Sequence, residues 1–314
     1  MELNQRAAEL AQQLSSQPDR FRVSTQTMPD GGTLLDVGVK ATGGLNAGLQ
    51  LANICLGGAA EVTLTSITNE LPATLSVCVR SDHPLLACLA AQYAGWQVQV
   101  GEFFAMGSGP IRCVAAREPL FESLAYRETP SVAVGVLECD KLPTQEVYDY
   151  FAEKTGLPAA NITLLAAKVS SQAGTVQVVA RSPETALHKL HELGFDMASI
   201  VSGFGTAPLP PCGGKSLTAM GRTNDAVLYG GQVTLWVRGD DDSLAEIGPR
   251  VPSSSSADYG QPFREIFQAC QGDFYKIDPH LFSPAQIIFI NIETGRTFTF
   301  GTFAPDVLRQ SFGW

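Results

Sequence analysis

Two side chains three positions apart, Arg181 and Glu184, are the residues of this sequence best suited to acid–base chemistry. They flank a point where a β-branched run ends and a helix is predicted to begin, so both can face the space above that turn. One interpretation is an ion pair at a helix start. The other is a general base, because a guanidinium in a cleft keeps a neighbouring carboxylate ionised and able to accept a proton. Residue types and spacing leave both interpretations open.

The segment that carries this pair has the signals of a helix N-terminus. Ser182 offers a capping hydroxyl, Pro183 suits a first helical turn, and Glu184 places an acid at the positive end of the dipole. Apolar residues follow at helical spacing. The sequence therefore predicts a helix that begins at Ser182.

A glycine-containing turn, Gly107, Ser108 and Gly109, could bring backbone amides close to a ligand. It follows a predicted strand but lacks the third glycine that opens a helix in a dinucleotide site. A second glycine-rich string, residues 213–216 (GGKS), resembles the end of a phosphate-binding P-loop. That motif requires glycine at position 209, where the chain has Leu209, so we expect an ordinary loop there.

No complete metal site can be assembled from the histidines and cysteines. His188 and His191 lie three apart on one predicted helix, but no third ligand is near them in the sequence. These patterns favour an enzyme without a metal. The seven cysteines are an odd number without a CxxC motif, which predicts buried free thiols in a reducing compartment.

An internal repeat of about one hundred residues suggests how these groups are positioned. Residues 60–64 (AEVTL) reappear as 160–164 (ANITL), and 75–81 (LSVCVRS) reappear as 176–182 (VQVVARS). Each copy predicts a helix, two strands, a second helix and a third strand. The repeat implies an α/β (α+β) fold of two related domains with a ligand pocket between them.

We place the domains at residues 1–127 and 128–314, with a linker near 126–130. The tail, residues 240–314, could pack on either domain. At 314 residues the chain is long enough for two cores.

Composition excludes several partners. The chain has 21 basic and 31 acidic residues, a net charge of −10, and no basic stripe for nucleic acid or an anionic membrane. No apolar stretch is long enough to span a membrane, and the N-terminus lacks the pattern of a signal peptide. We expect a cytoplasmic protein.

Beyond these local signals, an ordered set of longer strings resembles the methenyltetrahydromethanopterin cyclohydrolase family, from about residue 30 to the C-terminus. The strings are 104–110 (FAMGSGP), 180–186 (ARSPETA), 221–226 (GRTNDA), 229–231 (YGG), 258–263 (DYGQPF) and 278–284 (DPHLFSP).

The resemblance implies a homotrimer of two-domain α/β subunits with the pterin held between the domains. It implies reversible hydrolysis of 5,10-methenyl-tetrahydromethanopterin to the 5-formyl compound, without a metal or a further cofactor. Members of the family act in the one-carbon metabolism of methanogenesis and methylotrophy.

The resemblance also assigns roles to residues. The catalytic arginine and glutamate of the family correspond to Arg181 and Glu184, and a segment lining its site falls at Ala91, Gln92 and Tyr93. We add two expected partners for the amide and amino edge of the pterin, Asn224 and Asp225, in a loop between a helix and a strand.

Two alternatives remain at this point. One is another enzyme acting on the same carrier, a methylene dehydrogenase or a formyltransferase, although a dehydrogenase would need a dinucleotide site. The other is a non-catalytic trimeric pterin-binding protein. Such a protein would have less reason to keep both Arg181 and Glu184.

Overall fold

The computed structural model describes residues 1–67 and 70–314. Its strands, in chain order, are β1 (Ser24–Thr27), β2 (Thr33–Gly38), β3 (Glu61–Ser66), β4 (Leu75–Ser81), β5 (Trp96–Val100), β6 (Phe103–Ser108), β7 (Ala133–Glu138), β8 (Ile162–Ala167), β9 (Ile200–Pro208), β10 (Gln232–Val237), β11 (Gln286–Asn291) and β12 (Thr297–Gly301).

The α-helices are α1 (Leu3–Ser15), α2 (Pro18–Phe21), α3 (Leu45–Cys55), α4 (Ile111–Ala115), α5 (Leu120–Leu124), α6 (Gln145–Thr155), α7 (Gln172–Val179), α8 (Ser182–Glu192), α9 (Ser216–Gly230), α10 (Asp241–Ile247), α11 (Phe263–Ala269) and α12 (Pro305–Phe312). A π-helix spans Leu85–Gln92. None of the helices in the described ranges is long and apolar enough to cross a membrane.

The chain forms two compact units, each made of two separate stretches. Unit 1 contains Met1–Glu61 and Leu85–Gln177, and unit 2 contains Val62–Pro84 and Val178–Trp314. The mixed α/β content and the two sheet-containing halves confirm the predicted fold class. The predicted division at residues 127 and 128 differs from this one, since unit 1 continues to Gln177. The tail belongs to unit 2, and the predicted pocket between domains stays a prediction.

Unit 1 is built on a six-stranded mixed sheet of order β1-β2-β8-β7-β6-β5. Its central strands β2, β8 and β7 are parallel and buried almost throughout, as expected for strands covered on both faces. Residues of α6 pack on one face of the sheet, and residues of α1 and α3 pack on the other. The sheet is therefore a rigid support between two helical layers.

Unit 2 contains a second six-stranded mixed sheet, of order β12-β11-β10-β9-β4-β3. Strand β9 runs antiparallel to both of its neighbours, β4 and β10, while β10 and β11 are parallel. Helix α8 packs against β9 and β10, and α9 packs against β9, α11 and α12. Strand β9 is thus the support of the helix that carries Arg181 and Glu184.

The second copy of the predicted repeat lacks one of its strands. The run at 176–182 was expected to be a strand, but α7 ends at Val179 and α8 begins at Ser182. Ala173, Val176 and Val179 are all fully buried at a spacing of three, and α7 lies against Gly48 of α3. A helix buried nearly all round is as rich in apolar residues as a strand, so alternation could not identify it.

The predicted linker at 126–130 is instead packed against the start of α1. The carboxylate of Glu128 accepts hydrogen bonds from the backbone nitrogens of Leu3 and Asn4, at 2.5 and 3.1 Å, and from Tyr126 Oη at 2.6 Å. This acid binds the free N–H groups that every helix N-terminus presents. Because it serves a helix, the segment is a structural part of unit 1.

Candidate active site

Arg181 and Glu184 both lie at the N-terminus of α8, as predicted. Arg181 is the N-cap residue, 9% exposed, and Glu184 is in the first turn, 5% exposed. Burial of a charge costs several kcal/mol unless the charge is paired or hydrogen-bonded. Two ionisable side chains buried at one helix start therefore lower the stability of the fold unless such partners compensate. The N-terminus of α8 therefore holds a carboxyl group and a guanidinium, both largely buried, three residues apart in the chain.

The cap of α8 differs from the prediction in one respect. Ser182 was expected to cap the helix, but Arg181 holds the N-cap position and Ser182 is the first helical residue. Ser182 is fully buried, and its Oγ has no hydrogen-bond partner within the described ranges. The helix therefore starts without a side-chain cap, and its position depends on packing.

That packing is set by a glycine in the strand beneath the helix. A Cβ atom at Gly205 of β9 would lie 2.7 Å from Ser182 Oγ and 2.8 Å from Pro183 Cγ. Real Cβ atoms do not approach this closely, so only glycine lets the first turn of α8 come so near to β9. Gly205 thereby helps to define where Arg181 and Glu184 stand.

A buried lysine fixes the second half of α8. Lys189 is 2% exposed, and its Nζ donates to the carbonyl oxygen of His280 at 2.6 Å and to Ser255 Oγ at 3.2 Å. The pKa of Lys189 is lowered to about 8, mainly by burial; the charge of Asp278 opposes this change and that of Arg250 adds to it. The lysine ties the helix to the C-terminal segment of unit 2.

Six of the other residues expected at the site, those at 91–93 and 107–109, form one group in unit 1. The π-helix ends with Ala91 and Gln92, β6 ends with Gly107 and Ser108, and the backbone nitrogen of Gly109 donates to the carbonyl oxygen of Ala91 at 2.8 Å. Two segments about fifteen residues apart in sequence are thus brought together. Tyr93, partly exposed, follows directly after this junction.

The predicted tight turn at the end of β6 is confirmed at Gly109, whose φ is +92°. A Cβ there would lie 3.2 Å from both the Val134 oxygen and the Val136 nitrogen, so glycine allows a close approach to β7. Ser108 is 2% exposed and donates from Oγ to the Val136 oxygen at 3.3 Å. Whether the turn meets a ligand stays a prediction.

Asn224 and Asp225 were placed in a loop, and this placement is wrong: both lie inside α9. Asp225 is fully buried, with its carboxylate accepting hydrogen bonds from the Phe263 nitrogen at 2.7 Å and Ser311 Oγ at 2.5 Å. Burial raises its pKa to about 7. The Asn224 side chain donates to the Met220 oxygen at 2.9 Å within the same helix. Asp225 therefore joins helices of unit 2, and its contact with the pterin stays a prediction.

No group of three metal-ligating side chains occurs in the part of the chain that the structure describes. Ring nitrogens of His188 and His191 lie 3.9 and 3.7 Å from the same carboxylate oxygen, Glu192 Oε1. Five of the seven free cysteines are buried, as expected, whereas Cys212 is exposed and Cys270 is partly exposed.

Two buried cations, Lys189 and Arg112, were missed by the sequence analysis. Arg112 is fully buried beside the junction of the π-helix and β6. A signal was present in each case, since a lone charge stands within an apolar stretch: IRCV for Arg112 and ALHKL for Lys189. A charge placed there requires a specific partner, because charged side chains are almost never fully buried unpaired.

Comparison with known proteins supports the resemblance noted above. The family described as "Cyclohydrolase (MCH)" matches residues 2–312. A methenyltetrahydromethanopterin cyclohydrolase of Methylobacillus flagellatus is 45% identical over 99% of this chain and 95% of its own length. Proteins of the same name from Rhodopirellula baltica and Methanocella arvoryzae are 47% and 39% identical, over 90% and 99% of this chain and 86% and 98% of their own lengths. The chain therefore belongs to the methenyltetrahydromethanopterin cyclohydrolase family of hydrolases.

Proposed function

We propose that this chain catalyses the reversible hydrolysis of 5,10-methenyl-tetrahydromethanopterin to 5-formyl-tetrahydromethanopterin. The observation that carries the proposal is the pair at the start of α8: Arg181 and Glu184 are both nearly buried, at one helix N-terminus, in a chain matched to the family over residues 2–312. Fixed charges at such a position suit a reaction whose substrate is a cation and whose nucleophile is water.

The substrate supplies its own electrophile. The methenyl carbon lies between two nitrogens and shares their positive charge, so neither a metal nor a further cofactor is needed to activate it. Water is the weak partner. Glu184 accepts one proton as the water oxygen bonds to the methenyl carbon, and Arg181 keeps Glu184 ionised beforehand.

The neutral adduct then collapses. A carbon–oxygen double bond forms, the bond from this carbon to N10 breaks, and the second proton of the water passes to N10. The formyl group remains on N5, and one proton is released overall. Arg181 also has the donors to orient the water and then the formyl oxygen.

Binding of the pterin is assigned to residues of unit 1. We propose that Ala91, Gln92 and Tyr93, with the backbone of Gly107, Ser108 and Gly109, contact the substrate. Support comes from the junction described above, where Gly109 donates to Ala91 and both segments end together. Asn224, partly exposed on α9, is proposed as a partner for the pterin edge.

The reaction can be tested with purified protein and methenyl-tetrahydromethanopterin. We expect loss of the methenyl absorbance, release of one proton per turnover, and a formyl group on N5 by NMR. Exhaustive dialysis against EDTA should leave the rate unchanged, because no step requires a metal. A chain that leaves the absorbance unchanged, or that needs a reductant to change it, would contradict the proposal.

A further inference from the structure

A charged side chain with no exposed surface lies at the end of the π-helix. Arg112 is 0% exposed, and its Nε donates to Glu118 Oε1 at 2.8 Å. Its guanidinium carbon lies 5.1 Å from the ring centroid of Tyr93 and 5.2 Å from that of Phe121. An ion pair and two aromatic faces therefore hold the plane of this group.

The same guanidinium binds the last turn of the π-helix. Arg112 Nη1 donates to the carbonyl oxygens of Leu89 and Ala90, at 2.8 and 2.9 Å, and more weakly to that of Ala91, at 3.4 Å. Carbonyls in the last turn of a helix have no partner within the helix, and the negative end of the dipole attracts a cation. Arg112 thus acts as a C-terminal cap from outside the helix.

The geometry that it caps is an unusual one. The backbone nitrogen of Tyr93 donates to the oxygen of Cys88, five residues earlier, at 2.8 Å, which is the wide turn of a π-helix. The backbone nitrogen of Gly109 donates to the oxygen of Ala91, which also accepts from Arg112. Such turns are rare and occur often at functional sites. Donors from outside the helix compensate for the poor packing of a wide turn.

The arrangement is not the one that stability alone would favour. Arg112 Nη2 is buried and has no hydrogen-bond partner in the described parts of the chain. A buried donor without an acceptor costs free energy, and an apolar side chain of similar size would avoid that cost. The presence of a guanidinium here is therefore better explained by the carbonyl groups of the π-helix that its donors hold in place.

We propose that Arg112 is a positioning residue, which sets the last turn of the π-helix and thereby places Gln92 and Tyr93 for substrate binding. This inference rests on the proposed function, since it assigns those two residues to the pterin. It adds that their placement depends on a guanidinium fork. A lysine would keep the charge but could not bind Glu118 and the carbonyls together, nor stack between two rings.

The test is the kinetics of Arg112→Lys with methenyl-tetrahydromethanopterin. A displaced binding segment weakens ground state and transition state alike, so we expect KM and the substrate Kd to rise about tenfold or more, with kcat within about threefold. A residue with only a structural role would lower the folded fraction, and so the apparent kcat, at unchanged KM. An unchanged KM in folded Arg112→Lys protein would overturn the proposal.

Two further variants complete the experiment. Tyr148→Phe removes a buried hydroxyl that donates to the Thr33 oxygen at 2.6 Å, in a different core of the same unit, and should lose stability at unchanged KM. If Arg112→Lys does not fold, Glu118→Gln decides, with a rise in KM of a few-fold expected and an unchanged KM contradicting the proposal. Turnover by wild type and Tyr148→Phe tests the proposed function separately. If neither protein turns over the substrate, the proposed reaction is wrong, whereas the positioning role of Arg112 is judged from the KM of its own variants.

Discussion

Glu184 combines two features at one position: only 5% of it is exposed, and it lies in the first turn of α8. Arg181, the N-cap residue of the same helix, places a guanidinium three positions earlier in the chain. The proposed role of Glu184 as a base therefore depends on the place where the helix begins.

Gly205→Ala is expected to displace the start of α8 directly. A methyl group at this position would lie 2.7 Å from Ser182 Oγ and force the first turn of α8 away from β9. Overpacking of this kind costs ~1–3 kcal/mol of stability. A displacement of the reacting groups by ~1 Å can lower turnover by ~100-fold. Steady-state kinetics and urea unfolding of the purified variant measure both effects.

Gly203→Ala provides the matched control on the same strand. A Cβ there would lie 3.3 Å from Pro84 Cβ and 3.4 Å from Leu235 Cδ2, contacts that small adjustments relieve. This variant should keep most of its activity. Equal turnover by the two variants would show that Gly205 does not position the pair.

Local signals predicted the helix start that carries the proposed catalytic pair, whereas contacts between residues far apart in the sequence were not predicted. The helix start at Ser182 depends on residues adjacent in sequence, so the string SPE was sufficient to predict it. The environment of Asp225 depends on Phe263 and Ser311, which are 38 and 86 residues away. Nothing near Asp225 in the sequence indicates those partners, and a polar pair before a strand was interpreted as a loop.

Among the elements, the contacts of α9 with α11 and α12 depend on one carboxyl group. Asp225 on α9 accepts a hydrogen bond from Phe263, the first residue of α11, and another from Ser311 on α12. The charge of Glu265 raises the pKa of Asp225 further and that of Arg264 lowers it, but desolvation is the largest cause of its rise to about 7. The junction of three helices is thus coupled to a protonation.

Stability should consequently fall as the pH rises from about 4 to about 7. In this range folded Asp225 retains a proton that the unfolded chain, with an ordinary pKa near 4, has released, so the free energy of unfolding decreases with pH. Asp225→Asn removes this contribution. Urea unfolding at several pH values should give a flatter profile for the variant, whereas the exposed control Asp30→Asn should follow wild type.

An Asp225→Asn profile as steep as that of wild type would contradict this account of the junction. The measurement concerns unfolding alone, so its result does not depend on the assigned reaction.

Helix α7 shows why some elements could not be predicted from the sequence. Strand and helix patterns differ when one face is at least partly exposed. In α8, buried Ala186, Leu187 and Leu190 alternate with partly exposed Thr185 and His188. In α7 this contrast is missing, because α3 approaches it closely at Gly48. Tertiary burial decided the structure of α7, and the matching string in β4 was a poor guide.

In the whole molecule, each compact unit is made of two stretches that are not consecutive in the chain. Strands β3 and β4 are followed by the π-helix and β5 in the chain, yet the first two belong to unit 2 and the others to unit 1. A division at one residue cannot describe such an arrangement. Fold class was predictable from the alternation of strands and helices, but unit membership depends on which strands pair.

Assembly into a homotrimer remains a prediction at this scale. Its bases are the family resemblance and several apolar stretches that exceed the needs of a small core. Sedimentation equilibrium at micromolar concentration should give a mass about three times the 33.4 kDa of one chain. A single species with the mass of one chain would contradict the prediction.

The central claim is that Glu184 acts as the base, and Glu184→Gln tests it most directly. Glutamine keeps the size of the side chain and most of its hydrogen bonds but cannot accept the proton of water. General bases contribute ~100- to 10,000-fold to rate, so turnover should fall by that factor while the substrate Kd changes little. Arg181→Ala should also be severe, and the double variant should be little worse than the worse single one.

Glu192→Gln is the matched control, since this residue lies in the last turn of the same helix with half of its side chain exposed. It should keep wild-type turnover. The decisive comparison is therefore turnover and substrate Kd of folded Glu184→Gln against Glu192→Gln. The account predicts a loss of at least ~100-fold in kcat with retained binding for Glu184→Gln alone. Near-wild-type turnover by folded Glu184→Gln protein would contradict it.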